Sequence, residues 1–296
     1  MKKLLIIIFV PLLVGGFLIG YFLPLLLDNK KQPLNYSEIT EKSYYDDFFA
    51  GISDCRNNYK PAVKGTIVNH HLLAGKLIAK TICNVATDKK LTIVLLSPNH
   101  FSNGQSHVIV SPNAWQTPYG ILSQDVKIIN DLSAQKIAVI DNAPFKFEHG
   151  IYGVIPFIKK AIPNAKIVPI IIKDSTTKEE KENLEKYLIE SLPKDSIIIA
   201  SLDFSHYLTS DQADISDQKS LEILNSFDLE KLKDLNPNSK PDNVDSLPAL
   251  EIFLSAMKEK GAVNFQMIDN TNSAKLIGDL SIKETTSYIV GLFLQK

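Results

Sequence analysis

Short, unbroken apolar runs that stop at turn residues recur along this chain, and segments with helical spacing separate them. The runs VKGTIVN (63–69), LTIVLLSPN (91–99), AKIVPIII (165–172) and DSIIIASLD (195–203) show little polar alternation. A strand that is apolar on both faces has to be covered on both faces, which is the situation of a parallel sheet between two helix layers. The segments LLAGKLIAKTICNVA (72–86), TKEEKENLEKYLIESL (177–192) and LPALEIFLSAMKEKG (247–261) repeat their apolar residues at helical spacing. The second begins with a Thr cap and early acids; the third is closed by Gly261. SQDVKIINDL (123–132) reads as a short amphipathic helix capped by Ser123, and IAVID (137–141) as a strand. GIYGVIPFIKKAI (150–162) reads as a helix that Pro156 kinks or starts late. Pro169 suggests an edge strand or a bulge. NFQMID (264–269) and TTSYIVGLFL (285–294) close the chain as strands suited to antiparallel pairing. The expected class is α/β, a mostly parallel sheet flanked by helices on both faces.

The N-terminus has another character. After Met1-Lys2-Lys3, the run Leu4–Leu27 carries no charge, and as a helix it is long enough to cross ~30 Å of hydrocarbon. Signal-peptide apolar regions are shorter, at roughly 7–15 residues, and no A-x-A site follows this one. One N-terminal transmembrane helix is therefore expected ahead of the α/β domain, with residues 1–31 as anchor, 32–62 as linker and entry segment, and 63–296 as the domain. Lys2 and Lys3 on one side are balanced by Lys30 and Lys31 on the other, with Asp28 beside them, so charge asymmetry gives almost no orientation. A short basic N-terminus favours a single-pass cell-membrane protein with its soluble domain outside the cytoplasm. Cys55 and Cys83 are the only cysteines. An exported domain permits one disulfide between them; two separate thiols are the other reading.

Overall composition is that of an ordinary globular protein. Apolar residues make up 45%, charged residues 22%, and the formal net charge is -1. That balance excludes the basic surface expected of a nucleic-acid binder. No Gly-rich phosphate loop has the required spacing.

The histidines carry the chemistry. Of the six, His70 and His71 follow the strand at 64–69, His100 follows that at 91–97, and His149 opens a helix after the strand at 137–140. His206 follows the strand at 196–200, with Asp203 three residues before it. Only His107 sits elsewhere. Ligands of open α/β sheets bind at the carboxyl ends of the strands, so five histidines are aimed at one rim. Imidazole is both the commonest metal ligand and a proton shuttle near neutral pH.

The segments TIVNHHLLAG, VLLSPNHFSNG, WQTPYG, EHGIYGVIPFI, IVPIII and IASLDFSHY occur in this order. Together they resemble the Memo family, including bacterial proteins named AmmeMemoRadiSam system protein B, over residues 63–295. Memo proteins in turn resemble class III extradiol dioxygenases, which hold non-haem Fe(II) with two His and one carboxylate. The resemblance implies His70 and His100 as metal ligands. Many Memo proteins have a Cys as third ligand before the last long helix; this chain has Asp245 in NVDSLPALEIF. Two imidazoles and a carboxylate suit Fe(II), with Zn, Mn or Cu as other divalent candidates. His206 falls at an acid–base position, Asp203 at one that orients it or holds water, and His149 at the pocket wall. His71 could replace His70 or cap its loop. Ser97 and Asn99 read as turn residues, and Trp115 and Tyr119 as packing or pocket wall. The implied function is a metal-dependent redox or dioxygenase-like enzyme acting on a small-molecule or peptide substrate. The alternative is a non-catalytic metal- or peptide-binding module using the same pocket. Radical-SAM and AMMECR-type partners are implied by the family neighbourhood, but a domain outside the cytoplasm would not meet cytosolic ones.

Overall fold

The computed structural model describes residues 34–37, 39–52, 55, 58–236 and 243–295. The expected span Leu4–Leu27 lies outside these residues; among the described residues, no helix is long and apolar enough to cross a membrane.

The compact unit runs from Leu34 to Lys296. In chain order it contains β1 (Leu34–Tyr36), α1 (Lys42–Phe49), β2 (Val63–Val68), α2 (Gly75–Cys83), β3 (Thr92–Pro98), β4 (Val108–Val110), β5 (Ala114–Thr117) and β6 (Gly120–Gln124). Next come α3 (Val126–Ala134), β7 (Val139–Ile140), α4 (His149–Tyr152), α5 (Ile155–Ala161), β8 (Lys166–Ile172), α6 (Lys178–Glu190) and β9 (Ser196–Ser201). The chain closes with β10 (His206–Leu208), α7 (Ser210–Ser226), α8 (Leu247–Glu259), β11 (Asn264–Asn272), α9 (Ser273–Ile277) and β12 (Thr285–Leu294).

The main sheet runs β1-β5-β6-β8-β3-β9-β2-β12-β10. Its centre, from β6 through β8, β3 and β9 to β2, is parallel, as the apolar runs require. β12 then pairs antiparallel with β2, β11 and β10. Alternate residues of the central strands enter two separate cores. Val94, Leu96, Val168, Ile170, Ile198 and Ala200 pack toward Leu184, Leu224, Phe253 and Met257 of α6, α7 and α8. Ile93, Leu95, Ile167, Ile171, Ile197 and Ile199 pack toward Tyr45, Ile78, Ile82 and Phe157 of α1, α2 and α5. Each such side chain contributes about 1.5–3 kcal/mol of burial, so removing either helix layer would expose a whole sheet face.

Four local differences from the sequence reading have physical causes. Ser123 is not a cap: it lies in β6 opposite Lys166, and the residue before α3 is Asp125, whose carboxylate accepts from Thr92 Oγ1 at 3.0 Å instead of capping. Pro169 sits in an interior strand. β6 pairs with β8 only as far as Ile167 and β4 takes over at Ile170, so the missing Pro169 N–H falls in the gap between two partners. The segment 150–162 divides into α4 and α5, with Pro156 in the first turn of α5, where a missing N–H costs nothing. The stretch expected to be linker and entry segment takes part in the fold from Leu34 onward. β1 pairs with β5, and Tyr45 and Phe49 of α1 meet the ring of Phe157 at 5.4 and 5.7 Å. Cys55 and Cys83 are joined by a disulfide.

Candidate metal centre

Strand register builds the site. β2 and β9 pair in parallel with Val68 opposite Ser201, so two residues farther on His70 stands opposite Asp203. β3 lies on the other side of β9, which brings His100, two residues beyond Pro98, to the same end of the sheet. Asp245 arrives on the segment before α8. It is tied in by a donated bond from its N–H to the Asp203 carbonyl (3.0 Å), and its Oδ2 accepts from the Asp203 N–H (3.1 Å). Ser246 then caps α8 through the Ala249 N–H.

Asp245 Oδ2 lies 3.3 Å from His70 Nε2 and 3.6 Å from His100 Nε2. Ligands ~2.1 Å from one ion, at angles between octahedral and tetrahedral, stand ~3.0–3.4 Å apart, so these separations are close to those of a common centre. The two rings meet edge-on, 5.0 Å between centroids and 85° between planes, and both Nε2 atoms converge on Asp245 Oδ2. Asp245 Oδ1 is buried and has no hydrogen-bond partner among the described residues. The far nitrogens are held. His70 Nδ1 is 3.1 Å from Ser201 Oγ, and His100 Nδ1 is 2.6 Å from Glu148 Oε1. A carboxylate or hydroxyl behind each imidazole is the arrangement that orients metal-binding histidines. Divalent metal therefore fits the donor set and its support.

His70, His100 and His149 also form a trio whose nitrogens lie within 4.8 Å of one another. The ring of His149 stacks on that of His100, 3.9 Å between centroids and only 29° between planes. Planes so nearly parallel intersect about 7 Å from the ring centres, whereas a coordinated ion sits ~3 Å from a ring centre in its plane. In this rotamer the stacked His149 ring is not aimed, in its own plane, at an ion in the plane of His100.

Burial, reinforced by the neighbouring histidines, holds the His70 imidazole well below its usual range, so it is neutral. Burial also opposes charge on His100, but the Asp245 and Glu148 carboxylates outweigh it and push its pKa up to about 10. At 3.6 Å the Asp245 contribution is charge attraction rather than a hydrogen bond. Burial and the Asp245 charge raise Asp203 well above the carboxylate range. Burial, with His100 beside it, takes His149 down to about 4.

The remaining histidines separate clearly. His206, on β10, is lowered by burial against the pull of Asp245, and its Nδ1 is buried without a hydrogen-bond partner among the described residues. His71 is 55% exposed in its side chain; its Nδ1 meets Tyr288 Oη at 3.2 Å and stands 4.0 Å from Asp203 Oδ2. His70, not His71, faces Asp245. His107 bonds Glu180 of α6. Trp115 is a core residue of β5, and Tyr119 donates to Asp46 of α1. Sequence reading named Glu148 only as part of a motif and missed Ser201 and Gly150. Ser201 ends an apolar strand, and nothing in its spacing marks it as a partner of His70.

The model of the Memo family, described as Memo-like protein, matches residues 46–289. A MEMO1 family protein of Aquifex aeolicus is 27% identical over 237 residues, 78% of this chain and 86% of its own length. One of Methanosarcina mazei is 29% identical over 222 residues, 73% of this chain and 81% of its own length. Another, of Methanosarcina barkeri, is 27% identical over 271 residues, covering 88% and 93%. Among solved structures, an uncharacterized protein of Escherichia coli K12 is similar with a TM-score of 0.49 and 11% identity, over 77% of this chain and 99% of that one. With a family match over most of its length, and with histidines gathered at the strand ends as the family motifs lead one to expect, this chain belongs to the Memo family.

Proposed function

We propose that this Memo-family chain binds one divalent metal, Fe(II) first among the candidates, through His70, His100 and Asp245, and acts as a metal-dependent redox or dioxygenase-like enzyme. One observation carries the reading. Ser201 Oγ donates its only proton to the Gly150 carbonyl at 2.6 Å, so it can only accept from His70 Nδ1. The Nε2 of neutral His70 is then bare, and it faces Asp245 Oδ2 and Asp203 Oδ2 at 3.3 and 3.6 Å. Burial raises Asp203 above the carboxylate range, so the unfavourable contact is that between the bare Nε2 and the Asp245 carboxylate, which a cation between them relieves.

Two imidazoles and one carboxylate leave coordination positions open, at which Fe(II) supplies Lewis acidity and one-electron chemistry. Asp203 holds the site together through His70 N–H, which donates to its Oδ1 at 3.2 Å. His206, neutral and with Nδ1 unpartnered, is the group that takes or gives a proton. His149 forms a wall of the substrate pocket. A second reading, a non-catalytic metal- or peptide-binding module, is favoured by the exposed rings of Phe101, Phe147 and Tyr207. Each is next in sequence to a site residue, His100, Glu148 or His206.

The remaining organisation belongs to the same proposal. Residues 1–31 anchor a domain that lies outside the cytoplasm, and the bonded Cys55–Cys83 pair supports an oxidising compartment. There the radical-SAM and AMMECR-type partners have no access.

The test is metal content of the anaerobically purified full-length chain. One metal per chain is expected, lost in His70→Ala, His100→Ala and Asp245→Ala and retained in His149→Ala, His206→Ala and His107→Ala. Wild-type protein that takes up no Fe(II), Mn(II) or Zn(II) would overturn the metal reading. Metal binding with no oxygen consumption or electron transfer for any substrate tried would favour the binding module.

A further inference from the structure

The two imidazoles of the candidate metal centre are held from behind through a single residue. The Gly150 carbonyl accepts from Ser201 Oγ at 2.6 Å, which forces Ser201 to accept from His70 Nδ1 at 3.1 Å. On the other side of the same Cα, the Gly150 N–H donates to Glu148 Oε1 at 3.0 Å. That oxygen also accepts from His100 Nδ1 at 2.6 Å, while Glu148 Oε2 accepts from the His100 N–H at 3.0 Å. An unbroken line of hydrogen bonds thus runs from His70 through Ser201, Gly150 and Glu148 to His100. Ser201 is fully buried and Glu148 is 1% exposed, so water does not compete for these bonds.

Only glycine fits at the middle of the line. A Cβ at residue 150 would stand 2.1 Å from Ser97 Oγ and 3.2 Å from Glu148 Oε1. The neighbour is a fully buried side chain of β3 that donates to the Pro98 carbonyl, so it has little room to turn. Nothing in the backbone of α4 otherwise demands glycine, since Gly150 is not among the residues with positive φ. Close approach is the requirement, and what it brings close are the two groups that orient the histidines.

We propose that Gly150 is a positioning residue that holds an Nδ1–H on both His70 and His100, through Ser201 and Glu148, so that both Nε2 atoms face Asp245. The geometry stands by itself; its purpose rests on the metal reading above. Because one residue serves both ligands, a disturbance at Gly150 reaches both at once. Disturbing Ser201 alone reaches only His70.

Long-range proton–nitrogen spectra of the full-length chain carrying nitrogen-15 histidine test this directly, together with Zn(II) titration. In wild-type protein without metal, His70 is expected to be protonated at Nδ1 and bare at Nε2. With Zn(II), both His70 and His100 should keep Nδ1–H. Ser201→Ala should release the His70 tautomer and weaken Zn(II) binding about ten- to a hundred-fold, the usual effect of losing a group that orients a ligand. Ser201→Thr, which keeps a hydroxyl, should restore both. Gly150→Ala should perturb both histidines, and if it does not fold, Glu148→Gln reports the His100 half. A proton on His70 Nε2 in wild-type protein, or a Ser201→Ala protein with unchanged tautomer and affinity, would overturn the proposal. Wild-type protein that shows the expected His70 tautomer but binds no metal would support the positioning role while overturning the proposed function.

Discussion

Reducing the Cys55–Cys83 disulfide should lower stability by an amount the chain itself sets. The bond closes a loop of sequence separation 28 between the segment after α1 and the last residue of α2. Loop-closure entropy for that length gives roughly 3–4 kcal/mol. Unfolding entropy is ~2.1 cal/mol/K per residue, or ~0.55 kcal/mol/K for a unit of this size, so the loss corresponds to roughly 6–7 °C in Tm. Cys83 is 2% exposed within the same core as Ile78, Ile82 and Phe157, so packing there persists when the bond is opened. α1 also keeps its own hold, through the rings of Tyr45 and Phe49 against Phe157. Reduction should therefore destabilise without unfolding at room temperature, and it should leave metal binding intact. The assay is thermal unfolding of the full-length chain with and without reductant, beside a Cys55→Ser, Cys83→Ala double variant that should match the reduced form. A Tm difference below about 1 °C between oxidised and reduced protein would refute the loop-entropy reasoning. Thiols that label fully before reduction, in protein from its native compartment, would refute the bond itself and remove its support for export.

Asp217 on α7 should give the fold a pH-dependent component of its own. Burial pushes its carboxyl up to about 6, against hydrogen bonds from Ser287 and Asn270. A folded pKa above the unfolded one means stability is fully present below the unfolded value near 3.8 and is lost as pH rises through about 6, by on the order of 3 kcal/mol. Urea unfolding of wild type and Asp217→Asn between pH 4 and about 8 should diverge across that window; parallel curves would show that the group does not titrate there. The anchor makes a simpler prediction. Full-length chain should sediment with membranes and resist carbonate, deletion of residues 4–27 should release a folded soluble domain, and full-length protein in the soluble fraction would sink the idea.

Much of the fold was legible because burial on both faces leaves a strong mark in sequence. β3, β8 and β9 are almost wholly apolar, and their order alternating with helices admits few arrangements. α7 was not legible. Its buried positions include Ser210, Ser216, Asp217 and Ser220, so a helix that packs on the core presents a polar inner face and lacks an apolar period. α1 was hidden for a related reason: only Tyr45 and Phe49 of its residues are buried, among acids and a lysine that read as linker. The hairpin of β5 and β6, around WQTPYG, also went unseen because its strands are only four and five residues long.

The site divides along the same line. Histidines at strand ends are visible because strand ends are visible, and a residue count from each strand carries His70 and His100 to one rim. What orders them is local and non-periodic. Glu148 reaches His100 across 48 positions, and Ser201 reaches His70 across 131. Asp245 stood out through the resemblance, at the family's Cys position just ahead of Pro248 and the helix α8, and its carboxylate is within 3.3 Å of His70 because its own N–H is bonded to the Asp203 carbonyl. That backbone bond links the loop before α8 to the end of β9. It means that the carboxylate occupying the position of a family cysteine is set by main-chain geometry rather than by its own side-chain reach. Asp is one atom longer than Cys at that place, and a carboxylate oxygen is a harder donor than a thiolate, so on the proposed ligand set the expected preference moves from soft ions such as Cu(I) toward Fe(II) or Mn(II).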